Sequence, residues 1–190
     1  VKRVVLGISG ASGAAIGLRI GTLVASLPDV ELHVVVSHAA VRTFAHELEP
    51  DALSRLTALA HRHYAIDDIG AAIASGSFRT AGMIVAPCSM RTLAAIATGL
   101  SDNLITRAAD VHLKERRRLI LLARETPLHL GHLRNMVAVT EMGATIMPPV
   151  PAFYRKPENI ADIVDHIATR ATDQLDLGIG ALGREWGGDG

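Results

Sequence analysis

Groups able to bind an anion or move a proton fall at a recurring place in this sequence, directly after short apolar runs. The first is Gly7-Ile8-Ser9-Gly10-Ala11-Ser12-Gly13-Ala14, where small side chains let backbone N–H groups and a hydroxyl approach an anion at the start of a following helix. That predicts a phosphate site. The string is neither a Walker loop, since no Gly-Lys-Ser/Thr follows, nor a regular Gly-x-Gly-x-x-Gly, and a tight turn without a ligand is the alternative reading. Ser37, Pro87-Cys88-Ser89-Met90-Arg91-Thr92, Arg124-Glu125-Thr126-Pro127 and Pro148-Pro149-Val150-Pro151-Ala152-Phe153-Tyr154 follow the other runs. Arg107 and Lys114 stand seven apart on a helix expected over 103–117, so they share a face and could hold one phosphate together, with Arg170 of the last helix joining them.

The elements that must position these groups show in the hydrophobic pattern. Runs rich in β-branched residues at 4–9, 32–37, 83–86, 119–123 and 145–147 read as buried strands. Ile16, Ile20, Leu23, Val24 and Leu27 share one helical face, as do Ile160, Ile163, Val164 and Ile167. Apolar strands alternating with helices specify an α/β fold, a doubly wound parallel sheet in a three-layer sandwich. Ligands of such sheets settle beyond the carboxyl ends of the strands, where the polar groups cluster here. Residues 49–77 are expected to form helices and loops. The tail 178–190, with six glycines, either stays mobile or takes order from a neighbouring subunit through Leu182 and Trp186.

Composition excludes several classes. A chain of 190 residues suits one domain, and its 19 Lys and Arg balance 19 Asp and Glu, so no global field favours nucleic acid or an anionic membrane. Six aromatic residues are too few for stacking platforms on single strands. One cysteine permits neither a disulfide framework nor a multi-cysteine zinc site. The absence of a signal-peptide core or a long apolar run gives a cytoplasmic expectation. Cys88 as a nucleophile and His129 with His132 as a metal pair are weaker alternatives to a buried thiol and ordinary histidines. The basic run 114–118 reads as a solvated helix end, with only Lys114 functional.

Six motifs in order carry a resemblance: the glycine-rich opening, Ser-Gly-Ser-Phe-Arg-Thr at 75–80, Pro-Cys-Ser-Met-Arg-Thr-Leu at 87–93, Arg-Ala-Ala-Asp-Val-His-Leu-Lys-Glu-Arg-Arg at 107–117, Arg-Glu-Thr-Pro-Leu at 124–128 and Pro-Pro-Val-Pro-Ala-Phe-Tyr at 148–154. Together they resemble the UbiX flavin prenyltransferase family over about residues 1–177, one flavin-binding domain followed by the tail 178–190. The resemblance implies a flavodoxin-like, Rossmann-like fold, bound flavin mononucleotide (FMN), dimethylallyl monophosphate as prenyl donor, no metal, and a homo-oligomer, commonly a dodecamer, with sites between subunits.

By the same similarity Gly10, Ala11, Ser12, Ser37, Ser89, Met90, Arg91, Thr92 and Arg124 fall where the family binds flavin. Tyr154 and Arg170 match positions for the prenyl phosphate, with Arg107 and Lys114 as further cations. Glu125 is the implied acid/base with Ser12 as relay, and Glu47 lies near the flavin N5 region or the developing cation. The implied reaction alkylates reduced flavin at N5 and closes onto C6, behind apolar walls such as Met90, Leu93 and Phe153 that keep water from an allylic cation. The product would serve a UbiD-type decarboxylase. The sequence departs from common family patterns at His38, at Arg118 and at Glu49-Pro50-Asp51, which makes Glu49 the fallback for Glu47. Rival readings are a flavin-dependent decarboxylase of the phosphopantothenoylcysteine type, whose loop normally reads Pro-Ala-Ser-Ala-Asn, and a non-catalytic flavin carrier.

Overall fold

The five apolar runs become strands β1 (Lys2–Ile8), β2 (Val30–Val36), β4 (Gly82–Cys88), β5 (Arg118–Ala123) and β6 (Thr145–Ile146), joined by a three-residue strand, β3 (Arg62–Tyr64), within the stretch expected to hold only helices and loops. The structure, a computed structural model, describes residues 1–183, so Trp186 lies outside the described residues. All pairings are parallel, in the order β3-β2-β1-β4-β5-β6. From β1 the chain winds outward through β2 and β3, then returns to β1's other side for β4. The switch point of this α/β sheet therefore lies between β1 and β4.

Alternation along β1 sends Val4, Leu6 and Ile8 to one face and Val5 to the other. The first face packs under α1 (Ala14–Ala25), α2 (His38–Glu47), α3 (Ala52–Leu59) and α7 (Ile160–Asp173). The second packs under α4 (Met90–Thr98), α5 (Leu104–Lys114) and α6 (Leu130–Glu141). Burial of each large aliphatic side chain contributes about 1.5–3 kcal/mol, so these two clusters outweigh any single polar contact in holding the layers. Among the described residues, no helix is long and apolar enough to cross a membrane.

Helix α1 lies unusually close to the sheet at Gly17 and to α3 at Gly21. A Cβ on Gly17 would sit 2.5 Å from the carbonyl oxygen of Ala86, and one on Gly21 would sit 2.3 Å from Leu56 Cδ1. Its start is also unusual: Gly13 turns the chain at φ 112°, and no side chain of the turn caps the helix. The cap comes from the far end of α2, where Glu47 Oε2 accepts from the N–H groups of Gly13 and Ala14, each at 2.9 Å. A carboxylate there satisfies two of the orphan donors and opposes the positive end of the helix dipole.

Two outcomes follow. Gly17→Ala should lower stability by about 1–3 kcal/mol, because the rigid carbonyl cannot give way; an unchanged melting temperature would contradict the close packing of α1 on β4. Glu47→Gln should cost about 1 kcal/mol at neutral pH. Burial alone would raise the Glu47 pKa, but hydrogen bonds from the Ser12 side chain and from the Gly13 and Ala14 amides, with the charge of Arg124, hold it below 4.5. The folded carboxyl is the stronger acid, so its contribution is complete above the unfolded value and disappears as pH falls through the lowered one. Urea midpoints of wild type and Glu47→Gln, at equal protein concentration, should converge in acid; a gap that persists there would refute the charged cap.

Candidate active-site cleft at the strand ends

At the switch point the strand ends are tied into a row. Ser9, 2 % exposed, donates its hydroxyl to Pro87 O at 2.8 Å and accepts at Oγ from Ser89 N at 2.7 Å. Ser37 N donates to Ile8 O at 3.0 Å on one side, and Arg124 N donates to Cys88 O at 3.0 Å on the other. The residues after β2, β1, β4 and β5 are thereby fixed against each other by short bonds. Gly10 permits this approach, since a Cβ there would meet the Ala39 methyl at 2.4 Å.

Above the row lies a cleft of about 450 Å³, in the range of pockets for small organic ligands. Gly10, Ser37, Ser89, Arg91 and Thr92 line it, and so do residues that sequence reasoning did not assign to the site, among them His38, Asp67, Asp102, Asn103 and Ile105. Ser37 and Ser89 cap α2 and α4, with Oγ accepting from Ala40 N and Thr92 N. The first-turn amides of both helices thus open at the cleft. Arg91 pairs with Asp102, and Asp67 lies 3.4 Å from His38 Nε2. Small residues, helix amides and one apolar wall suit a planar ring with a polar chain, and Ser89's bond to Thr92 Oγ1 at 3.1 Å keeps the hydroxyls ordered.

Ser12, Glu47 and Arg124 form a second group beside the cleft, coupled through the contacts that lower the Glu47 pKa. Glu49 makes none of them, so Glu47 is the carboxylate of this group. Glu125 is exposed, with Oε1 accepting from Thr126 N at 3.1 Å. Ala11 belongs to the turn before Ser12, and Met90 packs against the second core. Leu93 is fully buried and is ordinary core, whereas Phe153 is 76 % exposed.

The expected phosphate cations divide between the two faces of the sheet. Arg107 pairs with Asp110 at 2.7 Å, and Lys114 with Glu115, all on or next to α5. Tyr154, in a 3-10 turn at Phe153–Arg155, and Arg170 lie with α7 on the side of the first core. Within one chain, α5 and α7 are separated by the sheet.

Two lesser readings are corrected, those of Arg117 and Leu182. Arg117 is not part of a solvated helix end: its guanidinium donates to the carbonyls of Gly76 and Phe78, and the side chain is 15 % exposed. Together with buried His112, whose Nε2 meets Thr80 Oγ1 at 2.8 Å, it docks the 75–80 motif onto α5. Leu182 does not wait for a neighbour to be ordered: its N–H donates to Asp173 at 2.8 Å. Burial pushes the Cys88 thiol up to about 12, which removes it as a nucleophile at neutral pH. His129 caps α6 and stacks on His132 with ring centroids 3.6 Å apart. Among the described residues no cluster of His, Cys, Asp or Glu could hold a metal.

Some missed residues carried a signal. Asn103 with Thr106 is a capping pair legible in sequence, and the box is present. Asp67 had none, because it follows β3, too short to show alternation.

A family profile described as Flavoprotein matches residues 1–172. The chain is 51 % identical over 187 residues to the flavin prenyltransferase UbiX of Thauera aromatica, covering 98 % of this chain and 95 % of that one. A dodecameric FMN-dependent Ubix-like decarboxylase from Escherichia coli O157:H7 superposes with a TM-score of 0.92 at 45 % identity, covering 98 % of this chain and 100 % of the other. AnUbiX (PadA1), solved with FMN and dimethylallyl pyrophosphate, gives 0.90 at 49 % identity with 99 % of both chains covered. The strand order, the small-residue cleft and likeness over almost the full length agree, and the chain belongs to the flavoprotein family, within it to the UbiX-type flavin prenyltransferases.

Proposed function

We propose that the protein transfers a dimethylallyl group from dimethylallyl monophosphate to N5 and C6 of reduced FMN, releasing inorganic phosphate and providing prenylated FMN to a UbiD-type decarboxylase. The observation that carries this reading is the juxtaposition of the switch-point cleft with the Ser12, Glu47 and Arg124 group. The relative solved with FMN and a dimethylallyl diphosphate supports the pairing of flavin and prenyl donor. When bound, the reduced flavin supplies the nucleophilic nitrogen. Gly10, Ala11, Ser37, Ser89, Met90, Arg91 and Thr92 hold its ring and side chain through close backbone approach and neutral hydrogen bonds.

The rest of the chemistry falls to charges. The donor's C–O bond breaks with its electron pair leaving on phosphate, so positive charge builds on the allylic carbons and negative charge on the leaving group. Glu47, kept ionised by its donors, is placed to steady the cation and is poorly suited to deliver a proton. Glu125 is the acid/base, with Ser12 relaying the proton. Tyr154, Arg170, Arg107 and Lys114 receive the phosphate. Because α5 and α7 cover opposite faces, the full cation set is completed by neighbouring subunits, as a homo-oligomer, a dodecamer by analogy with the Escherichia coli relative, allows. Exposed Leu130, Leu133 and Val137 on α6, with Phe153 and Ile160, supply apolar surface for such contacts. Covering Phe153 on assembly would also exclude water from the cation.

Purified protein incubated without oxygen with reduced FMN and dimethylallyl monophosphate should yield flavin heavier by a five-carbon unit on mass spectrometry. Unchanged flavin would favour the decarboxylase or carrier readings. Glu125→Gln should retain flavin but lose at least about 100-fold in rate; retained activity would remove Glu125 from the acid/base role.

A further inference from the structure

A second cavity, of about 500 Å³, lies between the 3-10 turn at Phe153–Arg155 and α7. Arg155 and His166 both line it, and they meet: Arg155 Nη1 is 2.9 Å from His166 Nδ1. A guanidinium can only donate, so Nδ1 must present its lone pair. His166 in this contact is therefore neutral, with its hydrogen on Nε2. Tyr154 immediately precedes Arg155 in the turn, and Arg170 follows His166 by four residues on the same face of α7. One side-chain bond thus links the two segments that bear Tyr154 and Arg170.

We propose that His166 is a positioning residue: by accepting from Arg155 it helps hold the Tyr154 turn in register with Arg170, and its protonation breaks that contact. The role rests on the prenyltransferase reading, because Tyr154 and Arg170 matter together only if they receive one phosphate. The groups around His166 are Arg155, Lys156 and Glu158 from the turn and the segment after it, and Asp162, Asp165 and Arg170 from α7. Arg19 of α1 holds Asp165 at 2.6 Å. Burial lowers the His166 pKa below 6.5, and the charges of Arg155 and Arg170 lower it further against the opposing pull of Asp165. The contact is complete at neutral pH and is lost as pH falls through that lowered value. A protonated ring has no acceptor at Nδ1 and sets another cation beside Arg155 and Arg170.

The test compares wild type, His166→Ala and His166→Gln as assembled, flavin-loaded protein, since Gln keeps an acceptor at every pH. His166→Ala should raise KM for dimethylallyl monophosphate about tenfold with kcat within about twofold, the signature of lost ground-state positioning. His166→Gln should restore KM and should lack the acid-side rise in KM shown by wild type. The substrate phosphate itself titrates near about pH 6, so that rise is read as the ratio of wild type to His166→Gln. An Ala variant with unchanged KM, or a Gln variant that follows the wild-type pH profile, overturns the proposal. Histidine-selective nitrogen NMR, assigned with His166→Gln, should show a neutral ring protonated at Nε2 at neutral pH; a ring protonated at Nδ1 also overturns it. Wild type that transfers no five-carbon unit overturns the prenyltransferase reading instead, and the imidazole spectrum, which needs no turnover, then decides the Arg155 contact by itself.

Discussion

Where β1 and β4 run side by side, the loops that leave them depart in opposite directions, and a gap must open between their ends. Ser9 sets the width of that gap. Its hydroxyl bridges Pro87 O and Ser89 N in a fully enclosed position, so one small side chain satisfies the Ser89 amide, which unpaired would cost about 1–3 kcal/mol, and reinforces the bond that Pro87 O already accepts from Ser9 N at 3.2 Å. Gly10 on one side and Ser89 on the other inherit their spacing from it. The N-termini of α2 and α4 then face the same opening because the serines that cap them sit in that row.

Charge is organised locally in a chain whose acids and bases balance. The cleft is rimmed by the closed pair of Arg91 with Asp102 and by Asp67 beside His38. Next to it, Glu47 is an anion by construction, fastened by two amides. The cations suited to a phosphate stand apart, on α5 and on the α7 side, with Arg107 and Lys114 occupied by carboxylates of their own helix or its end. The cleft at the strand ends and the cations on the two faces are therefore built at different places around one sheet.

The sheet was legible because β1, β2, β4 and β5 are buried on both faces and read as continuous apolar runs, and Ser37 and Ser89 of the cleft were legible because they follow such runs directly. Strand β3 was not: three residues, His63 among them, carry no periodicity, and pairing to β2 alone makes them a strand. Arg117 looked solvated inside a run of cations, since nothing local announces that its partners are carbonyls some forty residues earlier. Glu47 was picked out by family likeness, but its capping of a helix that begins thirty-odd residues before it depends on tertiary approach alone. The division of the cations between faces likewise follows from helix placement, which spacing along α5 could not reveal.

The glycines that let α1 lie so near the sheet and α3 bear on how the protein acquires its order. Each of Gly17 and Gly21 weakens an isolated helix by roughly 1 kcal/mol relative to alanine, and twelve residues are already marginal for a helix alone in water. Segment Ala14–Ala25 therefore has little helicity to offer before β1 and β4 are paired beneath it, and its winding belongs to the late, cooperative part of folding. The amides that Glu47 caps come into being with that docking, so the turn around Ser12 is shaped only in molecules whose core is already complete.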